Sequence, residues 1–507
     1  MKKYYLIIDQ GTTSSRSIIY DKEFNLIDKV SIMLTQSYPK KDWVEHDPIE
    51  IWNSQKSTMQ QVLIKNNISI DEIISIGISN QRETVVAWDK DTGLPIYNAI
   101  VWQDSRTSDY CKIIDKKYHD LIKEKTGLCV NAYFSASKIK WILDNVPKAK
   151  ELLKHNKLMV GTVDSWLLYK LTEHQCFKTD HTNASRTMLF NIDKLCWDDE
   201  LLDIFKIPKN ILANVYPSSN LYAYMNNSVI SSQSKNKTPI CAIAGDQQAS
   251  LFGQQCFSKG DTKSTFGTGC FIIMNTDNLR INSKHNLLTT ISCSISNDVQ
   301  YALEGSVFNA GTVIEWLSND LKVLYNPQEA DWYSELALTN NQKDLFFVPA
   351  FTGLGAPYWD PNARGMIIGI ERSTRREHII KAAIEGIAFQ VNDVINSMLS
   401  EHENLKLNTL KVDGGLSQCD FLNQFLASLL HMDVYKTKNH ESSSLGIAYL
   451  CAINLKLINK EKMKKQEIIT FKPIYEKELV DGMYSNWIKA VNKTLNWKET
   501  NEKETES

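Results

Sequence analysis

The sequence predicts an α/β protein made of two related halves. Short apolar strand patterns alternate with longer helical ones along most of the 507 residues, the signature of sheets joined by crossover helices. Each half carries a strand ending in an acid beside glycine: Asp9-Gln10-Gly11 and Gly245-Asp246 in the first, Asp413-Gly414-Gly415 in the second. Each half also holds a turn rich in glycine and threonine. Two such units can face one another across a cleft, the usual place for a ligand. The length allows roughly two to four domains at about 100–200 residues each. The two-unit reading sets the first domain at 1–251, the second at 252–495, and a polar tail at 496–507 that is expected to be disordered.

Taken in order, Tyr4-Tyr5-Leu6-Ile7-Ile8 runs into Asp9-Gln10-Gly11-Thr12-Thr13-Ser14-Ser15-Arg16, and Ser17-Ile18-Ile19-Tyr20 follows. An apolar run, a polar tip and a second apolar run read as a β-hairpin. Its backbone N–H groups and hydroxyls suit a phosphate and its acid suits a metal ion, although the same stretch alone also serves as an ordinary Gly-Thr turn. Strands are expected at 73–78, 99–102, 158–160 and 240–244, and helices at 49–63 and 137–144. A stretch rich in Asn, Ser and Lys at 226–237, ahead of Pro239, reads as a surface loop. The second half opens with Ser264-Thr265-Phe266-Gly267-Thr268-Gly269-Cys270-Phe271-Ile272-Ile273-Met274, a glycine-rich turn entering a strand. Further strands are expected at 287–294, 301–304, 345–348 and 366–370. Over 377–399, Ile380, Ala383, Ile384, Ile387, Ala388 and Val391 share one face of an amphipathic helix. Leu410-Lys411-Val412-Asp413 is then a strand leading into Gly414-Gly415.

Composition narrows the class. Lys and Arg number 57 against 59 Asp and Glu, a net charge of −2, so no nucleic acid or other polyelectrolyte partner is implied. No apolar run approaches a membrane span, and the start lacks a signal-peptide pattern. The ten cysteines are scattered without a CxxC pair, which argues against a zinc ribbon and for a reducing compartment. A cytoplasmic protein is the expectation.

GxxxxGK[ST], the protein-kinase set, HExxH and GxSxG are all absent, so any ATP site is built another way. The three loops 9–16, 266–269 and 413–415, with Ala244-Gly245-Asp246-Gln247-Gln248-Ala249, resemble the FGGY carbohydrate kinases. Tyr133-Phe134-Ser135-Ala136-Ser137-Lys138-Ile139-Lys140-Trp141-Ile142-Leu143-Asp144-Asn145 is similar to that family's first signature. Gly365-Met366-Ile367-Ile368-Gly369-Ile370, continuing to Ala383-Ile384-Glu385, is similar to its second. Within the family, Ser79-Asn80-Gln81-Arg82-Glu83-Thr84, Ala99-Ile100-Val101-Trp102-Gln103-Asp104, Asn131-Ala132-Tyr133-Phe134-Ser135 and Phe266-Gly267-Thr268-Gly269-Cys270-Phe271 look like the members that phosphorylate glycerol. The resemblance runs from about residue 4 to about residue 490.

The resemblance implies two actin-like (ribonuclease H-like) domains around a central cleft, with Mg²⁺ and ATP as cofactor and co-substrate and a homodimer or homotetramer as assembly. It places Arg82, Glu83, Tyr133, Asp246 and Gln247 on glycerol; Trp102 and Phe271 are candidates for the apolar wall that a three-carbon polyol also needs. Asp246 is the candidate general base, and Asp9 with Asp246 the candidate metal ligands. Thr12, Thr13, Ser14 and Arg16 would hold the nucleotide phosphates, Gly267 and Thr268 would approach them from the second domain, and Gly311, Gly414 and Gly415 would lie near the nucleotide. Glu315 and Cys419 depart from residues frequent in the family, Gln and Asn. The 226–237 loop lacks the Gly and Arg with which bacterial relatives bind fructose 1,6-bisphosphate. Two other functions fit less of the pattern: a kinase for another polyol or a pentulose, and a non-catalytic actin-like nucleotide-binding module, which needs no polyol pocket.

Overall fold

The computed structural model describes residues 2–296, 299–340, 342–439 and 441–498. Two large sheets repeat one plan. The first runs in the order Ser219–Asn226, Lys237–Gly245, Ile73–Asn80, Tyr4–Gln10, Ser14–Asp21, Leu26–Met33. The second runs Ile468–Phe471, Val434–Thr437, Thr409–Asp413, Asp261–Phe266, Cys270–Asp277, Tyr301–Val307, with Leu288–Ile291 added at the far edge. Each domain begins with three adjacent antiparallel strands, consecutive in the chain in the first domain and with Leu288–Ile291 inserted before the third in the second. On the other side of its first strand each sheet adds two parallel strands and then an antiparallel edge strand.

The opening strand is a nearly unbroken apolar run because both of its faces are covered. Leu6 and Ile8 point into a core shared with Ile51, Met59 and Val62 of helix Pro48–Lys65. Tyr5 and Ile7 point the other way, onto Ile447, Leu450 and Cys451 of helix Ser442–Asn454. The first of these helices starts where Asp47 accepts a hydrogen bond from the Ile49 N–H at 2.8 Å and Pro48 takes the first turn. In the second domain all six apolar residues expected on one helical face are buried within Arg376–Ser400.

One expectation changes in the structure. The 264–274 stretch is a full hairpin, Asp261–Phe266 and Cys270–Asp277, rather than one strand after a turn. Across the boundary expected after residue 251, helix Ser442–Asn454 returns to the first domain and packs on helix Asp246–Gly253. Glycines permit that crossing: a Cβ on Gly253 would meet the Ser442 carbonyl oxygen at 1.9 Å, and one on Gly446 would meet the Ala249 oxygen at 2.0 Å. Of the expected tail, Asn496 donates its N–H to Asp360 Oδ2 (2.6 Å) and Lys498 to the Asn362 carbonyl (3.1 Å). Residues 499–507 lie outside the described set.

Candidate active site

The parallel register brings the carboxyl ends of three strands together. Asp9 pairs with Ser79, Gln10 with Asn80, and Gly245 with Asn80 from the other side. The chain segments that leave these ends therefore converge, as ligand loops do at the open ends of α/β sheets.

From the middle strand, Arg82 and Glu83 turn into the protein. Glu83 has φ 62, a left-handed conformation costly for a residue with a Cβ and characteristic of functional sites. Both side chains are buried. Arg82 is forked onto Glu304 of the second sheet, Nη1 to Oε2 at 2.7 Å and Nη2 to Oε1 at 2.9 Å. Its Nε lies 3.6 Å from Asp246 Oδ1 and 3.9 Å from Glu83 Oε1. Gly245 leaves room for the Arg82 stem, since a Cβ there would lie 2.7 Å from both Cγ and Cδ.

Asp246 is the first residue of its short helix, after Gly245, and its Oδ1 accepts the Gln247 N–H at 2.7 Å. Its side chain remains 32% accessible. Desolvation in the cleft raises its carboxyl to about 6; Arg82 opposes that shift, and the nearby charge of Asp9 adds to it. Gln247 accepts from the Lys263 ammonium, which also donates to Thr265 Oγ1 at 2.6 Å. Thr265 in turn donates to Asp413 Oδ1 at 2.5 Å, and Ser250 donates to its Oδ2 at 3.0 Å. A hydrogen-bonded chain thus links Gln247 to the strand end before Gly414.

Trp102 and Phe271, the two candidates for an apolar wall, come from different domains and stand near each other. Trp102 stands edge-on to Tyr133 (5.5 Å between ring centroids) and to Phe271 (6.3 Å). Its indole N–H donates to Thr12 Oγ1 at 2.8 Å. Thr12 therefore braces the wall, and because its oxygen is the acceptor its own O–H stays available for a second partner. The loop bearing Tyr133 is fastened from beneath by the buried Lys138 ammonium, which donates to the carbonyls of Ala132 and Tyr133 (2.6 Å each) and Phe134 (3.2 Å).

On the phosphate side, Gly11 N–H bonds the Ser14 carbonyl at 2.9 Å and closes the hairpin tip, leaving Thr13 exposed. Arg16 donates to Asp9 Oδ2 at 2.5 Å, while its Nε is buried without a hydrogen-bond partner. The second hairpin tip is closed by Gly267 N–H on the Gly269 carbonyl at 2.8 Å. Gly311 N–H reaches the Gly267 carbonyl at 2.9 Å, so the start of helix Gly311–Glu315 is packed on that tip. Gly414, at φ 88, lies against Phe266, and Gly415 has open space around it. Glu315 is exposed, and Cys419 is buried with Asp331 Oδ1 3.5 Å from its sulfur. Among the described residues no group of three or more His, Cys, Asp or Glu is arranged to hold a metal.

Three charged residues at this site were not singled out from the sequence: Glu304, Arg186 and Lys263, all buried. One signal was there, a lone carboxylate in the apolar run Tyr301-Ala302-Leu303-Glu304; nothing comparable marked Arg186.

Two sheets of one strand order, with hairpin tips of glycine and hydroxyl residues and acids at their carboxyl ends, define a two-domain actin-like fold. Within it the chain belongs to the FGGY family of carbohydrate kinases, whose N-terminal domain matches residues 4–253 and C-terminal domain residues 262–455. A glycerol kinase of Mycoplasmopsis pulmonis is 49% identical over 98% of this chain and 98% of its own length. A glycerol kinase of Treponema denticola is 46% identical over 98% and 100%. Among solved structures, Plasmodium falciparum glycerol kinase with ADP superposes with TM-score 0.90 at 34% identity, over 98% of this chain and 99% of that one. Among the described residues no helix is long and apolar enough to cross a membrane.

Proposed function

We infer that this chain transfers the γ-phosphoryl group of ATP to a terminal hydroxyl of glycerol, giving sn-glycerol 3-phosphate. Relatives matched over nearly their full length at 46–49% identity are named glycerol kinase. The observation that carries the chemistry is the setting of Asp246, a carboxylate raised to about 6 that stands in the cleft beside Arg82 and Gln247. At neutral pH it is ionised yet basic enough to act as a general base.

In this reading Arg82, Glu83, Tyr133, Asp246 and Gln247 pair with the hydroxyls, and Trp102 and Phe271 cover the carbon face. Asp246 accepts the proton of the terminal hydroxyl as that oxygen bonds to the γ-phosphorus. The bond from phosphorus to the bridging oxygen breaks, and its electron pair leaves with ADP. The orphaned Arg16 Nε, the hydroxyls of Thr12, Thr13 and Ser14, and the N–H groups around Gly267, Thr268, Gly311, Gly414 and Gly415 would receive the phosphates. Mg²⁺ fits the donor set: Asp9 and Asp246 stand close enough for one charge to raise the other's pKa, and that ion takes one or two carboxylates with phosphates and water. It would neutralise charge on the phosphates.

A cytoplasmic setting belongs to the same reading, supported by ten unpaired cysteines, as does a homodimer or homotetramer, which light scattering tests. The deciding assay measures ADP release with glycerol, dihydroxyacetone and ketopentoses. Fastest turnover on glycerol is expected. Faster turnover on a ketopentose would move the chain to another substrate, and no release with any acceptor would favour a non-catalytic module.

A further inference from the structure

We propose that Glu304 and Arg186 are positioning residues of the polyol site, forming with Arg82 and Glu83 a closed ring of four buried charges that spans the two domains. The inference rests on the glycerol reading above and adds two residues to it.

The ring can be followed atom by atom. Arg82 grips both oxygens of Glu304 at 2.7 and 2.9 Å. Glu304 Oε1 also accepts from Arg186 Nη2 at 3.0 Å. Arg186 Nε donates to Glu83 Oε1 at 2.6 Å, and that same oxygen lies 3.9 Å from Arg82 Nε. All four side chains are at most 2% accessible, and the charges cancel.

Arg82 and Glu83 come from a turn of the first domain and could point in many directions. Glu304 comes from the second sheet, one strand away from Phe271, where Phe271 pairs with Ser306. A forked carboxylate fixes the plane and the rotation of a guanidinium in a way a point charge does not. With Arg82 held by its two Nη groups, its Nε edge is left toward Asp246. Arg186 does the corresponding work for Glu83, while its guanidinium lies 5.7 Å from the Tyr133 ring centroid and 5.3 Å from that of Phe134. Burial alone would push Glu304 toward its neutral form; Arg186 and Arg82 outweigh it and hold the carboxyl at about 2, so Glu304 keeps its charge through the working pH range. The polyol site is therefore incomplete without the second domain, even though most of the groups expected to touch the polyol belong to the first.

A ring serving only to join the domains would, when broken, weaken both substrates' binding or the fold. A positioning ring would act on the polyol alone. Glu304→Gln keeps shape and removes charge. The expected result is a glycerol KM raised tenfold or more, an ATP KM within twofold of wild type, and partial recovery of the glycerol KM in Glu304→Asp. Arg186→Lys, which keeps the charge but cannot bridge Glu83 and Glu304, should show the same split. A glycerol KM within twofold of wild type, or glycerol and ATP constants rising together, overturns the proposal. So does loss of the native near-ultraviolet circular dichroism in both Glu304→Gln and Arg186→Lys, which would assign the ring to stability. A wild-type protein inert on glycerol would instead refute the functional reading itself.

Discussion

Asp246→Asn should make the protein more stable and much less active. The carboxyl is raised from its ordinary 3.8 to about 6 in the folded chain, so the charged form is disfavoured there. About two units at roughly 1.4 kcal/mol each come to about 3 kcal/mol. The side chain is 32% accessible, so water screens part of this, and about 1–2 kcal/mol is the working figure. The sign follows from proton binding. Between pH 4 and 6 the native state holds the proton more tightly than the unfolded chain, so this group's contribution to stability falls as pH rises through that window. The penalty is complete above about pH 6 and absent well below 4. Asparagine never incurs it. At pH 7.5 the variant should melt roughly 1–4 °C higher than wild type, and the gap should narrow by pH 4.5. Turnover should fall by about a hundredfold or more, with ADP binding close to normal. An unchanged or lower melting temperature at pH 7.5 would refute the desolvation argument, and near-wild-type turnover would remove Asp246 as the base.

Gly446→Ala should cost about 2 kcal/mol or more in urea unfolding, because the new methyl would meet the Ala249 carbonyl oxygen at 2.0 Å. Trp102→Ala removes the face shared with Tyr133 and Phe271; glycerol KM should rise about tenfold, near 1.4 kcal/mol, with ATP KM little changed in steady-state kinetics. Chelation of divalent cations should abolish turnover and added Mg²⁺ should restore it; full activity in excess EDTA would refute the role given to Asp9 and Asp246.

Local chemistry explains what could be read before the fold was known. The tip from Asp9 to Arg16 concentrates an acid, a glycine and four hydroxyls within one turn, and the 377–399 periodicity needs only a helix to make sense of it. Strands 346–348 and 366–368 were also readable, although they pair with each other apart from both main sheets. What escaped depends on distance along the chain. Glu304 and Arg82 are 222 residues apart, so neither names its partner. Arg186 stands in a polar stretch, Asn183-Ala184-Ser185-Arg186-Thr187, where a surface cation is the ordinary expectation. The return of helix 442–454 was hidden for a related reason. Its residues are apolar nearly all round, and that pattern marks a buried helix without saying what buries it.

That returning helix bears on how the chain can be made. Synthesis runs from the amino end, and the first domain leaves the ribosome with Tyr5, Ile7, Ile18, Ala242 and Ala244 still lacking the residues that cover them. Nearly two hundred further residues must emerge before Leu445 to Ala452 arrive to close that face. The nascent chain therefore carries an adhesive surface for some ten seconds or more at ordinary elongation rates of about 5–20 residues per second. During that interval it is a natural client for holding chaperones, and a premature stop after the first domain but upstream of 442 leaves that face uncovered.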